Sequence, residues 1–334
     1  EILCFEFTLD PSWDLSKIHI VGMLIDNGNM IDNASSSTIS DAENLGYTAC
    51  ATTSTGLELN GPDKINIYPN PATTAFYLDF SEIKQLLLKP KRIVIVPHKN
   101  PDGDAMGASL AMYHFLMLKG HLVTVVSPND YPDFLKWLPG ENKIINHEIE
   151  TVRANDLITS ADIVFTLDFN ALHRAGDIGP IIRKANGLKI LIDHHQQPDD
   201  FAHYLYSDVT MSSTCEMVYN FIEMLEDISL ITAHIATCLY TGIMTDTGSF
   251  RFASTTSTTH RIIANLIDKG ASNAFIHNNV YDNNSFDKLQ LLGVSLKNLK
   301  VISILNTAYI SLSQKELNAS NFRKGDTEGI VNYG

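Results

Sequence analysis

The stretch IVIVPHKNPDGDAMGASLAM, residues 93–112, joins a continuous apolar run to a helix-like pattern. Between the two it places His98, Asp102 and Asp104 within seven positions. Ionisable groups at the end of a buried strand cost free energy unless something compensates their charge. A bound cation would provide that compensation, and its other ligands should then follow other apolar runs in the chain.

Strands and helices alternate from residue 81 onward. Apolar strands are predicted at 91–98, 121–127, 162–169 and 187–195, with a helix over 105–118 after the first of them, and residues 213–300 are mostly helical in pattern. This alternation predicts an α/β fold with a mostly parallel sheet flanked by helices. Ligands of such sheets bind beyond the carboxyl ends of the strands.

Asp and His residues follow several of these apolar runs. Asp168 closes one strand, Asp193, His194 and His195 close the next, and Asp246 follows a helical segment in GIMTDTGSF. Carboxylates suit Mg²⁺ and Mn²⁺, and imidazole shifts the preference toward Mn²⁺. Two such ions can activate a water and neutralise charge on a phosphoryl group. Asp168, central in the set, is the expected bridge between them.

Two other interpretations of these motifs fit less well. DGDAMG resembles a calcium-binding EF-hand loop, but Met106 occupies a ligand position and Tyr113 stands where the bidentate Glu belongs. Asp-Thr-Gly at 246–248 also occurs in aspartic proteases, which need two such motifs in a β-rich fold, whereas the context here is helical.

Small residues in the same segments have predicted structural roles. Gly103 and Gly107 should let the ligand loop bend and let the following helix start close to the sheet. Cys215 stands at the start of a predicted helix, where a thiol pKa can be lowered. Because no partner is evident for it in the sequence, we interpret Cys215 as a packed small residue.

Charge and composition restrict the class of partner. The 334 residues carry a net charge of −14, and residues 1–80 hold only 2 basic against 11 acidic side chains. A broad positive field for long nucleic acid is therefore absent from the sequence, and any nucleotide substrate should be short. The four scattered cysteines indicate no disulfide framework, and no apolar run approaches the roughly 18 residues of a membrane span.

Residues 1–80 differ in character from the rest. A strand is predicted over 18–26, followed by a polar stretch of loop or weak β structure, so the segment is β-rich or irregular. YPNP at 68–71 resembles the opening of the sorting domain of type IX secretion cargo, which implies a secreted or outer-membrane origin for this segment and a joined reading frame. An irregular extension and an interaction or sorting module remain alternatives.

The ordered motifs HKNPDGDAMGA, TLDFN, IDHH and GIMTDTGSF resemble the four motifs of the DHH phosphoesterase superfamily. The similarity is to the branch of nano-RNases and pAp phosphatases, relatives of RecJ and of exopolyphosphatases, and it covers residues 81–334. The resemblance implies two metal ions with shared ligands. It assigns His98, Asp102 and Asp168 to one ion and Asp104, Asp168, His194 and Asp246 to the other.

The resemblance also implies roles for residues around the ions. His195 would face the scissile phosphate, with Asp168 and Asp193 completing the catalytic set, and Asp193 would orient the histidines. Arg174 and Arg251 are candidates for binding substrate phosphate, and an exposed, solvated arginine is an equally good interpretation of each.

The chain departs from this family near its end. We expect the DHH domain to span 81–304 and residues 305–334 to form an incomplete second α/β domain, DHHA1. Members of this branch clamp substrate with a GGGH-type motif in that domain, and no Gly-Gly-Gly occurs in this sequence. The sequence thus predicts a complete metal centre with part of the substrate clamp missing.

The expected function is a cytoplasmic phosphoesterase that uses two divalent ions, Mn²⁺ or Mg²⁺. By resemblance its substrates are short oligoribonucleotides, cleaved to mononucleotides, and 3′-phosphoadenosine 5′-phosphate (pAp). Polyphosphate, pyrophosphate or linear dinucleotides are alternative substrates, and an inactive nucleotide-binding remnant is a further alternative. The sequence leaves a homodimer open.

Overall fold

The computed structural model of the protein describes residues 19–25, 31–38, 75–76, 80–303, 307–327 and 329–333. The chain divides into two compact units, Glu1–Asn70 and Pro71–Gly334. In the first unit, β1 (His19–Ile25) pairs antiparallel with β2 (Ile31–Thr38). The strand predicted over 18–26 thus corresponds to β1, and part of the polar stretch after it forms β2. The YPNP motif lies outside the described residues.

The second unit is built on a seven-stranded sheet. Its strands are β3 (Ala75–Phe76), β4 (Arg92–Pro97), β5 (Leu122–Ser127), β6 (Ile145–Asn146), β7 (Ile163–Leu167), β8 (Leu188–Asp193) and β9 (Tyr204–Ser207). They lie in the order β3-β9-β8-β7-β4-β5-β6, and all neighbours are parallel except β3 with β9. The predicted α/β fold with a mostly parallel sheet is therefore confirmed.

The strand order reverses direction beside β4. The chain adds β5 and β6 on one side of β4 and then returns to place β7, β8 and β9 on the other side. Every residue of β7 is buried, as are the last five residues of β4, because helices cover both sheet faces. The crevice at the carboxyl ends of β4 and β7 is the topological switch point, which is where open α/β sheets bind ligands.

Helices cover both faces of this sheet and continue beyond it. They are α1 (Phe80–Leu86), α2 (Gly103–Leu118), α3 (Thr151–Ser160), α4 (Gly179–Lys184), α5 (Thr214–Met224), α6 (Ala233–Asp246), α7 (Ser257–Asp268), α8 (Asn273–His277), α9 (Phe286–Asn298) and α10 (Gln314–Ala319). A short antiparallel pair, β10 (Lys300–Ile302) and β11 (Thr307–Tyr309), lies between α9 and α10. Among the helices described, none is both long and apolar enough to cross a membrane.

Helix α2 begins two residues before its predicted start at Ala105. The side chain of Asp102 caps it, with Oδ1 accepting hydrogen bonds from the backbone N–H groups of Asp104 and Ala105 at 3.0 and 3.1 Å. A carboxylate at this position satisfies backbone donors that would otherwise lack a partner. Asp102 therefore fixes the helix start with one of its two carboxylate oxygens.

The glycines of α2 allow a close approach to another helix. A Cβ on Gly103 would lie 2.4 Å from Thr245 Oγ1, and one on Gly107 would lie 2.5 Å from the carbonyl oxygen of Cys238. Both neighbours belong to α6. The sequence did not predict this contact, because periodicity shows that a position is buried but not which element covers it. The glycines bring α2 and α6 close together beneath the switch point.

Candidate metal centre

Six predicted metal ligands converge beyond the switch point. His98, Asp102 and Asp104 follow β4, Asp168 follows β7, His194 follows β8, and Asp246 ends α6. Among the described residues, three groups place ligand atoms within 4.8 Å of one another. The groups are His98, Asp102 and Asp168; Asp104, His194 and Asp246; and Asp168, His194 and His195.

Asp168 belongs to the first group and also faces His194 of the second. Its Oδ2 is 3.5 Å from His98 Nε2, and its Oδ1 is 3.6 Å from His194 Nε2. The residue is 2% exposed and has a φ of 66°, in the left-handed region. Asp and Asn adopt this conformation more readily than most residues do. The left-handed turn directly after β7 gives each carboxylate oxygen a different histidine as neighbour.

Both candidate histidine ligands are oriented in the same way. His98 Nδ1 lies 2.8 Å from the carbonyl oxygen of Lys99, and His194 Nδ1 lies 3.4 Å from that of Met211. A backbone carbonyl can only accept a hydrogen bond, so Nδ1 must carry the hydrogen, and each neutral ring would keep its Nε2 lone pair for another partner. Each Nε2 faces carboxylates, at 3.7 Å from Asp102 Oδ2 for His98 and 3.5 Å from Asp246 Oδ2 for His194.

The amino end of α5 supports the two innermost carboxylates. The backbone N–H groups of Thr214 and Cys215 donate to the two oxygens of Asp104 at 2.6 and 2.9 Å. The Thr214 hydroxyl donates to Asp168 Oδ1 at 2.8 Å. These donors, together with the helix dipole, stabilise negative charge deep in the site.

Sequence reasoning missed this role of Thr214. The available signal was Ser213 followed three positions later by Glu216, which is typical of a helix start. That signal locates the amino end of α5 but does not show that it points at Asp104, 110 residues earlier in the chain. The sulfur of Cys215 is buried, and burial raises the pKa of its thiol, as expected for a packed small residue.

His195 and Asp193 form a separate pair beside Asp168. Asp193 is fully buried, and its Oδ1 lies 2.7 Å from His195 Nδ1 while its Oδ2 accepts from the His195 backbone N–H at 3.1 Å. Burial lowers the pKa of His195, but the contact with Asp193 outweighs it and the net shift is upward. Asp193 therefore orients His195, and Nε2 is the ring nitrogen that this carboxylate does not contact.

The cluster concentrates negative charge away from water. Burial, with repulsion from Asp168 and Asp246, raises the pKa of Asp104 well above its usual range. Burial and repulsion from Asp168 and Asp102 likewise raise the pKa of Asp246 to about 7, although His194 opposes the shift. Four carboxylates with imidazole nitrogens between them are a donor set suited to divalent cations, whose charge would relieve this repulsion.

Stabilisation by Mn²⁺ should depend on pH. Although burial opposes it, contact with Asp102 and Asp168 raises the pKa of His98 to about 10, so its contribution to stability is present below 6.5 and is lost as pH rises through 10. The raised pKa of Asp246 means that its ionisation lowers stability as pH rises from 3.8 to about 7. The metal-free protein should therefore lose stability as pH rises toward 10. Mn²⁺ competes with the protons on His98 and Asp246, so it should bind better at the higher pH.

We therefore expect the rise in melting temperature caused by Mn²⁺ to be larger at about pH 8.5 than at about pH 6. Thermal unfolding with and without Mn²⁺ at both values measures it. An equal or larger rise at the lower pH would contradict the assignment of His98 and Asp246 to the ion.

The two predicted phosphate-binding arginines differ in their placement. Arg251 is exposed and lines a cavity of about 640 Å³ that also reaches Asp102 and Asp246, and its Nε donates to the carbonyl oxygen of Gly248 at 2.7 Å. Arg174 is half-buried, and its carbonyl oxygen accepts from the Lys99 backbone N–H at 2.7 Å. Its side chain lies close enough to His195 to oppose protonation of that ring.

Known proteins with similar sequences bear on this site. The family model described as the DHH family, N-terminal domain, matches residues 92–243. The crystal structure of an exopolyphosphatase-related protein from Bacteroides fragilis is 40% identical, with a TM-score of 0.74 over 78% of this chain and 77% of that chain. The chain belongs to the DHH family, as its motifs predicted.

Two curated relatives carry functional names. The bifunctional oligoribonuclease and PAP phosphatase NrnA of Thermus thermophilus is 36% identical over 178 residues, which cover 53% of this chain and 50% of the relative. The probable bifunctional oligoribonuclease and PAP phosphatase NrnA of Streptococcus mutans is 28% identical over 74% of this chain and 76% of the relative. The chain thus aligns with half the length of the first relative and about three quarters of the second.

Proposed function

We propose that this chain is a metal-dependent phosphoesterase that hydrolyses short oligoribonucleotides to mononucleotides, pAp to AMP, or both. The observation that carries the proposal is the position of Asp168, whose two oxygens face two separate groups of His and Asp side chains. A carboxylate shared between two cation sites would hold two ions close together, as two-metal phosphoryl transfer requires.

The six ligands divide into two sets. His98, Asp102 and Asp168 would hold one ion, and Asp104, Asp168, His194 and Asp246 would hold the other. Mixed carboxylate and imidazole donors favour Mn²⁺, with Mg²⁺ as the alternative. Bound ions would activate water and stabilise charge on the phosphoryl oxygens.

His195 would act on the substrate and not on the ions. With Nδ1 held by Asp193, its Nε2 is the atom that would donate a hydrogen bond to a phosphoryl or leaving oxygen. The upward shift of its pKa favours the protonated ring, which is the form that donates from Nε2. Asp193 would keep the ring in this orientation during the reaction.

The cavity beside the ligands favours a nucleotide substrate. Its walls include the aromatic side chains of Phe134, Phe252 and Tyr281 and the cations of Arg251 and Lys288. Aromatic side chains stack on bases, and cations bind phosphates. The two curated relatives are named for oligoribonuclease and PAP phosphatase activity, which agrees with such a substrate. Substrates of this kind would place the DHH domain in the cytoplasm.

Polyphosphate hydrolysis is the second candidate function. The similar protein from Bacteroides fragilis is named as exopolyphosphatase-related. Inorganic polyphosphate has no base to stack on the aromatic side chains of the cavity, so we place this candidate second.

The test is a comparison of substrates with the full chain and added Mn²⁺. We expect mononucleotides to be released from a short RNA and phosphate from pAp, both more rapidly than phosphate from polyphosphate or pyrophosphate. Removal of the metal with a chelator should stop the reaction. A folded sample with no metal-dependent turnover would contradict the proposal and favour a nucleotide-binding remnant.

Replacement of Arg251 tests the cavity. Arg251→Ala should raise KM for pAp about tenfold with a smaller effect on kcat, because an exposed cation contributes mainly to binding of the ground state. Arg261→Ala is the matched control, since Arg261 is also exposed but donates to Thr258 on α7. Equal kinetics for the two variants would remove Arg251 from the substrate site.

A further inference from the structure

The loop that carries two of the candidate ligands is held at its middle residue. Asn100 lies two positions from His98 and two from Asp102, and its φ is 58°, in the left-handed region. Its backbone N–H donates to Asn129 Oδ1 at 2.7 Å, and Asn129 Nδ2 donates to Asn100 Oδ1 at 2.6 Å. Asn129 is buried after β5, so the loop is fixed to the neighbouring strand.

A second donor reaches the same oxygen from far along the chain. Lys324 Nζ donates to Asn100 Oδ1 at 2.8 Å and to the carbonyl oxygen of Asp130 at 2.5 Å. Lys324 follows α10, 224 residues after Asn100. One ammonium group of the C-terminal segment thus contacts both the ligand loop and the loop that follows β5.

The segment around Lys324 packs against the loop that follows β5. Gly325 has a φ of 95°, and a Cβ there would lie 2.7 Å from Pro132 Cβ, so the backbone lies directly on Pro132. Arg323 NH1 lies 3.6 Å from Asp133 Oδ2. Ile330 is buried and lines the cavity that reaches Asp102 and Asp246.

We propose that Lys324 is a positioning residue that sets the metal affinity of the group formed by His98, Asp102 and Asp168. It acts through Asn100, whose side-chain oxygen it shares with Asn129. This inference rests on the proposed two-metal function.

The second ion site should be insensitive to the loss of Lys324. Asp104 is held by the amino end of α5, through the backbone N–H groups of Thr214 and Cys215. His194 is held by Met211. Lys324 has no hydrogen bond to any of these residues among those described, so loss of its ammonium group should affect one site and leave the other intact.

The test uses Lys324→Met in the full chain, titrated with Mn²⁺ by calorimetry and by electron paramagnetic resonance. We expect the Mn²⁺ affinity of one of the two sites to fall about tenfold. This is the lower end of the loss caused by mutating groups that support metal ligands. The spin-coupled signal of a Mn²⁺ pair should require more metal to develop, whereas the tighter site should fill as in the unaltered protein. Arg323→Met, on the same segment, removes only an exposed ion pair with Asp133 and should leave both sites unchanged.

Asn129→Ala provides a second and independent measurement. It removes both hydrogen bonds between Asn129 and Asn100, so it should weaken the same site, and its effect should not add to that of Lys324→Met. If Lys324→Met left the Mn²⁺ affinity of both sites unchanged, or weakened both equally, the inference would be overturned. If the unaltered protein bound no Mn²⁺, the proposed metal centre itself would fall.

Discussion

Asp168→Asn is expected to reduce kcat for metal-dependent hydrolysis of pAp or short RNA by at least roughly 10³-fold, because it removes the one carboxylate shared by both candidate ion sites. Asn has nearly the same shape and also tolerates the left-handed conformation at this position, so the fold should be kept. Only the charge and one acceptor atom are lost. Mn²⁺ stoichiometry, measured on the same samples, should fall from two ions to one or none.

Asp162→Asn is the matched control for this change. Asp162 directly precedes β7, whereas Asp168 directly follows it. Asp162 pairs with Arg92 at the amino end of the sheet, opposite the candidate metal centre. Exposed ion pairs of this kind contribute little to stability, so the kcat of Asp162→Asn should stay within about twofold of that of the unaltered enzyme. Activity retained in Asp168→Asn, or lost equally in both variants, would contradict a bridging role for Asp168.

Gly242→Ala should damage both stability and metal binding, because this glycine lies where α6 touches the site from below. An added Cβ would stand 2.2 Å from Cys215 Sγ and 2.8 Å from Asp104 Oδ1. Overpacking of this kind costs about 1–3 kcal/mol, which unfolding in urea would measure. Displacement of Asp104 should also weaken the ion site to which Asp104 belongs.

Two further variants separate the steric effects. Gly293→Ala, at an exposed position of α9, meets no atom within 4 Å and should raise stability by about 0.5–1 kcal/mol through helix propensity. Cys215→Ala combined with Gly242→Ala removes the contact with sulfur but keeps that with Asp104. The double variant should therefore recover stability relative to Gly242→Ala without recovering metal affinity. Recovery of both would refute the contact with Asp104.

Much of the sheet could be predicted because its strands are buried on both faces. Such strands appear in the sequence as short apolar runs, and the ionisable residues after β4, β7 and β8 mark the carboxyl end of the sheet. The convergence of His98, Asp168 and His194 follows, since all parallel strands end at the same edge. The start of α2 was less accurate, because Asp102 has two functions, as helix cap and as candidate ligand.

Contacts that depend on the direction of an element could not be predicted. Neither the approach of α5 to Asp104 nor the packing of Gly107 on α6 leaves a periodic signal, because both are set by how elements meet in space. The contact of Lys324 with Asn100 spans 224 residues and involves a loop and a segment without regular pattern. Local sequence rules carry no information about such pairs.

The left-handed backbone at Asp168 sets a cost for any side chain at this position. Glycine adopts that conformation without the steric cost of a Cβ, which amounts to roughly 1 kcal/mol for an L-residue. Glycine, however, would place no carboxylate beside His98 and His194. The aspartate therefore brings a charged group into the site at a small cost to the fold, as residues in uncommon backbone conformations at functional sites often do.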